Sequence, residues 1–370
     1  MLRGPERRGP LLEAVARCDR LVLLGDLLEL RHGPERDALA AARDLLTALG
    51  DVLGSEREVI IVPGNHDHAL LDAWFARQTR STPAAPLGTE TEVDWRRGEP
   101  LATIAQWLAP ARVRTAHPGV WLRSDVYAIH GHYADLHLSI PTMERLGAGV
   151  MSRIVGGRMD GSGPGVPPGP SRAGAPSGPS SAEDYELALA PIYAWIHALA
   201  QRIDPQLGGS LNGGSVRGWT ALTGPGRRTM RRRALTLAFP ALVAALNRLG
   251  VGPLRAELSG AALRRAGLRA LEESISRLDV SARYLVFGHT HRAGPLPGDD
   301  RAEWRTRGGA QLINSGCWVA EPAFLGSAPH QSPYRVGFGV WVGDKGPPEL
   351  VNLLDGPELV NLPDRTAAPN

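Results

Sequence analysis

Leu21-Val22-Leu23-Leu24-Gly25-Asp26-Leu27-Leu28-Glu29 is the stretch that decides how this chain is read. Four consecutive apolar residues followed by a glycine and a carboxylate fit a short strand buried on both faces. Three other stretches repeat the arrangement. Val59-Ile60-Ile61-Val62 runs into Pro63-Gly64-Asn65-His66-Asp67, and Val126-Tyr127-Ala128-Ile129 runs into His130-Gly131-His132. Tyr284-Leu285-Val286-Phe287 runs into Gly288-His289-Thr290-His291. Strands ending in Asp, Asn and His deliver those side chains to the mouth of a sheet, where α/β proteins build their sites. Oxygen and imidazole donors at one such edge suit divalent manganese, iron or zinc. The chemistry expected is metal-assisted hydrolysis of a phosphate ester.

Helical patterns fill the intervals. They cover 10–17 with Pro10 at the start, 35–49 ending at Gly50, 68–77 and 101–108. A strand is expected over 120–129, with Arg123-Ser124-Asp125 as a turn inside it. The alternation predicts an α/β fold with βα units around a mostly parallel sheet. The expected organisation is a first core part over 1–138, a helical insertion over 139–278, a second core part over 279–354 and a tail over 355–370. Within the insertion, a Gly/Pro/Ser-rich loop near 156–182 cannot pack a core, and helices are expected at 183–203, 229–249 and 256–275. Strands resume at 283–287, 310–313 and 336–342, the last alternating as an antiparallel strand does.

Composition narrows the function. The chain has 370 residues, 43% of them apolar, enough for one large domain or a domain with a sizeable insertion. A net charge of +3, from 41 basic and 38 acidic residues, is too balanced to indicate nucleic-acid binding. Two cysteines, Cys18 and Cys317, make a disulfide framework an unlikely design, and a cytoplasmic location is expected. No apolar stretch reaches transmembrane length.

The candidate metal ligands are Asp26, Asn65, His130, His289 and His291. Asp26 sits where a carboxylate can bridge two cations, although an N-cap role would also place it there. Asn65 offers a neutral carbonyl oxygen, or a turn residue. His66 cannot share the ion with its neighbour Asn65, so it is the candidate for stabilising the transferring phosphoryl group or protonating the leaving oxygen, with Asp67 orienting it. His130 directly follows its apolar run and is a better ligand than His132. His289 and His291 flank Thr290, and in an extended segment both imidazoles would reach one side. Asn314 is expected to shape the cleft, and Cys317 to be packed.

Taken in order, Gly25-Asp26, Gly64-Asn65-His66-Asp67, His130-Gly131 and Gly288-His289-Thr290-His291 resemble the calcineurin-like metallophosphoesterases. The likeness spans roughly 18–135 and 280–342, with a weaker similarity to the branch containing UDP-2,3-diacylglucosamine hydrolase. The resemblance implies a four-layer α-β-β-α sandwich and two divalent ions, Mn2+ first, with Fe2+ or Zn2+ as alternatives. It implies that Asp26 bridges the ions, that Asn65 and His130 bind one of them, that His289 and His291 divide between them, and that His66 assists the leaving group. That family's opening strand, ending in Asp-x-His, is not found ahead of Asp26. The expectation is that the recorded start lies downstream of this block. The competing reading is a divergent site with one firm metal or none, in a catalytically impaired interaction module.

The insertion is the candidate substrate cap. Trp195 and Trp219 fit core packing better than a pocket lining. Arg227, Arg228, Arg231, Arg232 and Arg233 fit a solvated helix face, with phosphate or anionic lipid contact as the alternative. The expected partner is a small-molecule or lipid-linked phosphoester, with peripheral membrane contact allowed and nucleic acid disfavoured.

Overall fold

The structure is a computed structural model that describes residues 5–80, 86–138, 179–201, 260–320, 322–325 and 328–355. Most of the loop at 156–182, the helix at 229–249, Trp219, the arginine run and the tail beyond 355 lie outside the described residues. The chain divides into two compact units, residues 1–131 with 281–370, and residues 132–280.

The first unit is α/β. In chain order it contains α1 (Pro5–Val15), β1 (Arg20–Leu24), α2 (Glu35–Leu53), β2 (Glu58–Val62), α3 (Asp72–Gln78), β3 (Glu90–Glu92) and α4 (Pro100–Leu108). There follow β4 (Arg112–Arg123), β5 (Val126–Ile129), β6 (Tyr284–Phe287), β7 (Gln311–Asn314) and the hairpin β8 (Phe338–Trp341) and β9 (Glu349–Asn352). The main sheet runs β1-β2-β4-β5-β6-β7, with β3 paired to β4. All its neighbours are parallel except β3 and β5, which run antiparallel to β4.

β4 holds this sheet together. Its first residues pair with β2, its middle with β3 and its last with β5. One twelve-residue strand therefore joins two parallel halves, and the sheet curls. Side-chain alternation follows the curl. Val59 and Ile61 of β2 pack with Leu46, Leu49, Leu101 and Ile104 on the helical side. Ile60 and Val62 pack with Val126, Ala128, Val286 and Ile313 from the other half of the sheet. A strand buried on both faces reads as a continuous apolar run, and β2, β5 and β6 do so. β1 is only half-buried, which corrects the expectation of burial on both faces, because it ends the strand order of the sheet and has one strand neighbour among the described residues.

Two helix boundaries differ from expectation. α1 begins at Pro5, so Pro10 lies inside it, where it forfeits one backbone hydrogen bond. α2 runs through Gly50 to Leu53, with Gly54 as its C-cap. A Cβ at Gly50 would lie 2.3 Å from the Leu108 carbonyl oxygen, so this glycine permits close approach of α4 and does not end the helix.

The second unit contains a 3-10 turn at His132–Leu136, α5 (Ala182–Ala200) and α6 (Gly260–Arg277). It opens at His132, seven residues before the expected insertion boundary at 139. His132 itself is fully buried there, edge-on to Tyr133 and Tyr193. Ser181 caps α5 by accepting from the Asp184 amide at 3.3 Å. Trp195 is 67% exposed on α5, which corrects the expectation that it packs in a core. No helix among the described residues is long and apolar enough to cross a membrane.

Candidate metal centre

The ends of β1, β2, β5 and β6 meet in the first unit. Gly25 and Asp26 turn the chain away from β1 with φ of 79° and 53°. Gly25 has no alternative, because a Cβ there would fall 1.9 Å from His130 Nδ1. Gly64 is under the same constraint, since its Cβ would fall 2.4 Å from Asp26 Oδ1. The two glycines let three strand ends pack closely enough for their side chains to share one point.

Three donor atoms converge there. His130 Nε2 lies 3.3 Å from Asp26 Oδ2 and 3.2 Å from Asn65 Oδ1. Two ligands at ~2.1 Å from one ion, separated by tetrahedral or octahedral angles, stand ~3.0–3.4 Å apart. The distances of Asp26 and Asn65 from His130 Nε2 are therefore those of ligands that share a divalent ion. His130 is also oriented as metal-binding histidines are, with Nδ1 3.1 Å from the Leu24 carbonyl oxygen and Nε2 directed at the donors. No group of three His, Cys, Asp or Glu side chains set to hold a metal occurs among the described residues. The converging trio includes an amide, Asn65, and so is not of that kind.

The β6 end adds two histidines. The His289 ring lies 5.3 Å from that of His130, edge to face. His289 and His291 both adopt left-handed backbone, with φ of 63° and 60°. The extended segment expected here is not found, because the Thr290 amide bonds back to Gly288 O at 2.7 Å and curls the loop. Asn314 braces this loop by donating to Gly288 O at 3.0 Å and Thr290 Oγ1 at 2.8 Å. Its amide is thereby committed to the loop.

The electrostatics bind these groups together. Burial pushes the Asp26 carboxyl up, but the charges of His130 and His66 outweigh it and hold Asp26 well below the ordinary range. Burial pushes His130 down, and Asp26 reverses this, raising it to about 9. Burial takes His291 down to about 4, with His289, His66 and His130 adding to it against the pull of Asp26. A neutral imidazole is the form that binds a cation.

His66 is held differently from expectation. Its Nδ1 lies 2.6 Å from Glu29 Oε2, while its backbone amide donates to Asp26 Oδ1 at 3.0 Å. Glu29 therefore orients the imidazole, and Asp67 does not. Asp67 is fully buried and accepts from the amides of Gly64 at 2.6 Å and of Leu28 and Asp26 at 3.3 Å. Its carboxylate ties the β1 loop to the β2 loop. Adjacent residues diverge, which left Asp67 facing backbone and gave a more distant carboxylate access to the ring. Glu29 was visible in the sequence as the end of its block, yet nothing local indicated that it faces His66. His32 was missed altogether, and its Nδ1 stands 3.1 Å from the same Glu29 oxygen. Cys317 donates to Val319 O at 3.3 Å, and burial raises its thiol above the ordinary range.

Comparison of the chain with known protein families, with curated protein sequences and with solved structures finds no match in any of the three.

Proposed function

We propose that this chain is a metal-dependent phosphoesterase of the calcineurin-like kind, cleaving a phosphate ester or pyrophosphate by attack of an activated water. The observation that carries the reading is the approach of Asp26 Oδ2 and Asn65 Oδ1 to within 3.3 Å of His130 Nε2. The backbone adds support. Among the described residues, four that are not glycine have positive φ, and three of them are Asp26, His289 and His291. Such conformations cost energy and gather at functional sites. The four-layer sandwich belongs to the same reading, supported by a sheet whose halves share one core.

Bound divalent ions would supply Lewis acidity toward phosphoryl oxygens and a water of lowered pKa. Asp26, Asn65 and His130 are the holding residues for one ion, and His289 and His291 are the remaining donors of the set. His66 holds a proton for the leaving oxygen. Burial lowers its pKa, but Asp26 and Glu29 outweigh that and raise it above the ordinary histidine value. With Nδ1 engaged by Glu29, Nε2 is the atom that delivers the proton.

The substrate class is a phosphomonoester, phosphodiester or nucleotide-linked pyrophosphate, small or lipid-linked. Purified full-length protein with added manganese is tested on p-nitrophenyl phosphate, bis(p-nitrophenyl) phosphate and a nucleotide-linked pyrophosphate. Turnover of at least one, lost in Asp26→Asn, is expected. Failure on all three, in protein that also takes up no manganese, iron or zinc, would sink the reading.

A further inference from the structure

We propose that His32 is a positioning residue for His66, acting through the Glu29 carboxylate that the two imidazoles share. The role rests on the phosphoesterase reading and deepens it. Glu29 Oε2 stands 3.1 Å from His32 Nδ1 and 2.6 Å from His66 Nδ1. The other oxygen, Oε1, accepts from the Arg31 backbone amide at 3.0 Å. Two of these three contacts come from the residues two and three places beyond Glu29. The third crosses to the loop after β2. The loop after β1 therefore holds its own carboxylate by both oxygens and presents it to His66.

An unheld glutamate orients poorly. Its side chain has several rotatable bonds, and the last torsion is broad and roughly two-fold. Burial does not fix Glu29, because 29% of its side chain is exposed. The Arg31 amide restrains Oε1, but one bond to one oxygen lets the carboxylate turn about it. A second bond on the other oxygen fixes where Oε2 points, and His32 supplies it.

Both imidazoles fit one oxygen because their rings stand at 89°, with centroids 5.9 Å apart. An ionised carboxylate only accepts, so each ring meets it through Nδ1–H. Burial raises the Glu29 pKa, and the His32 hydrogen bond is the foremost of the effects that outweigh burial and bring it to about 2. His32 thus helps to keep Glu29 in the form that accepts from His66. With Nδ1 held, Nε2 of His66 stays aimed at the leaving oxygen. Removal of His32 leaves the His66 imidazole intact but no longer aimed, and a ~1 Å misplacement costs up to about 10²-fold in rate.

The test is a double-mutant cycle in the full chain loaded with manganese, read on a p-nitrophenyl phosphate ester and its phenyl counterpart. His32→Phe keeps a ring and removes the donor. His32→Asn keeps a donor, its amide nitrogen standing in for Nδ1. On the phenyl ester, whose leaving group needs a proton, His32→Phe should lower kcat by about 10- to 100-fold with KM and metal content held. The loss should be smaller on the p-nitrophenyl ester, whose leaving group departs as a stable anion. His32→Asn should recover most of kcat. In a His66→Ala background His32→Phe should cost nothing further, because it acts through His66. Equal losses in both backgrounds, equal losses on both esters, or no recovery in His32→Asn would overturn the proposal. A reading independent of turnover is the downfield proton signal of a carboxylate-bound imidazole N–H, recorded on the zinc-loaded chain with isotope-labelled histidine. The His66 Nδ1–H signal, identified by its loss in His66→Ala, should persist in His32→Asn and be lost to solvent exchange in His32→Phe. A wild type that turns over no ester would sink the phosphoesterase reading. Persistence of the signal in His32→Phe would instead sink the role of His32.

Discussion

His66 Nδ1 and Glu29 Oε2 stand 2.6 Å apart, joining the loop after β1 to the loop after β2. The contact leaves one imidazole nitrogen for substrate and ties its orientation to a carboxylate 37 residues earlier. His66→Ala should therefore lower turnover by about 10²–10⁴ while metal content holds, the range for loss of a general acid. Glu29→Gln should lower it less, since an amide oxygen still accepts from Nδ1–H. Metal analysis beside kcat separates the two roles, and loss of metal in His66→Ala would make His66 a ligand.

Glu29 also predicts an acid dependence. Burial raises its pKa, but the hydrogen bonds and charges of His32 and His66 bring it down to about 2 from an ordinary 4.5. A depressed carboxylate stabilises the folded state above its unfolded pKa, and that contribution disappears as pH falls toward the folded value. Glu29→Gln should thus be destabilised by on the order of 2 kcal/mol at pH 6. The gap to wild type should close between pH 4.5 and 2. Urea titrations of both proteins across that interval check it, and a gap that widens in acid contradicts the ion-pair account.

Metal retention should rank with donor geometry. Asp26→Asn and His130→Ala each remove one of two donors that lie 3.3 Å apart, and each should strip the purified protein of its tightest ion. Asn314→Ala should leave that ion in place, because its side chain holds the Gly288-to-Thr290 loop and lies in no ligand position. Elemental analysis of the three variants after dialysis decides. Full metal in Asp26→Asn would remove the centre from the first unit.

The glycines should divide sharply. Gly64→Ala puts a Cβ 2.4 Å from Asp26 Oδ1 and 2.8 Å from Asp26 N, so it should cost about 1–3 kcal/mol and abolish metal binding. Gly288→Ala should be tolerated, since its nearest non-neighbouring atom, Ser315 Oγ, is 3.6 Å away. Thermal melts and metal content of both variants test the packing. Equal damage from the two would contradict it.

Cys18 should be inert. Burial raises its thiol to about 11 despite the lowering effect of Arg57, and Sγ donates to Val15 O at 3.2 Å. At pH 8 only ~0.1% would be thiolate, the reactive form. Iodoacetamide followed by mass spectrometry should find native Cys18 unmodified and unfolded Cys18 alkylated. Rapid modification of the native chain would show the site to be open.

The apolar runs of β1, β2, β5 and β6 and the Asp, Asn and His residues ending them were legible in the sequence, because a run of apolar residues is a local signature, but that β1 is a half-buried strand at the end of the sheet was not. So was the α/β class, since the alternation of strand and helix is written in periodicity. The strand β4 was seen only in its last residues. Its first half, with Arg112, Arg114 and His117 among apolar residues, has a mixed pattern that only its three partners explain. The same holds within the site. Asp67 and Glu29 are both carboxylates beside candidate residues, and sequence distance favours Asp67 as the partner of His66. Tertiary structure reverses the assignment, because side-chain direction depends on backbone torsions at the turns and on which loop lies opposite. Gly50 looked like a helix end and proved to be a point of contact with α4. Local chemistry determines which elements form and which donors they carry. Which atoms then face each other is decided by packing between strands distant in sequence, where displacement by one residue turns a side chain to the other face.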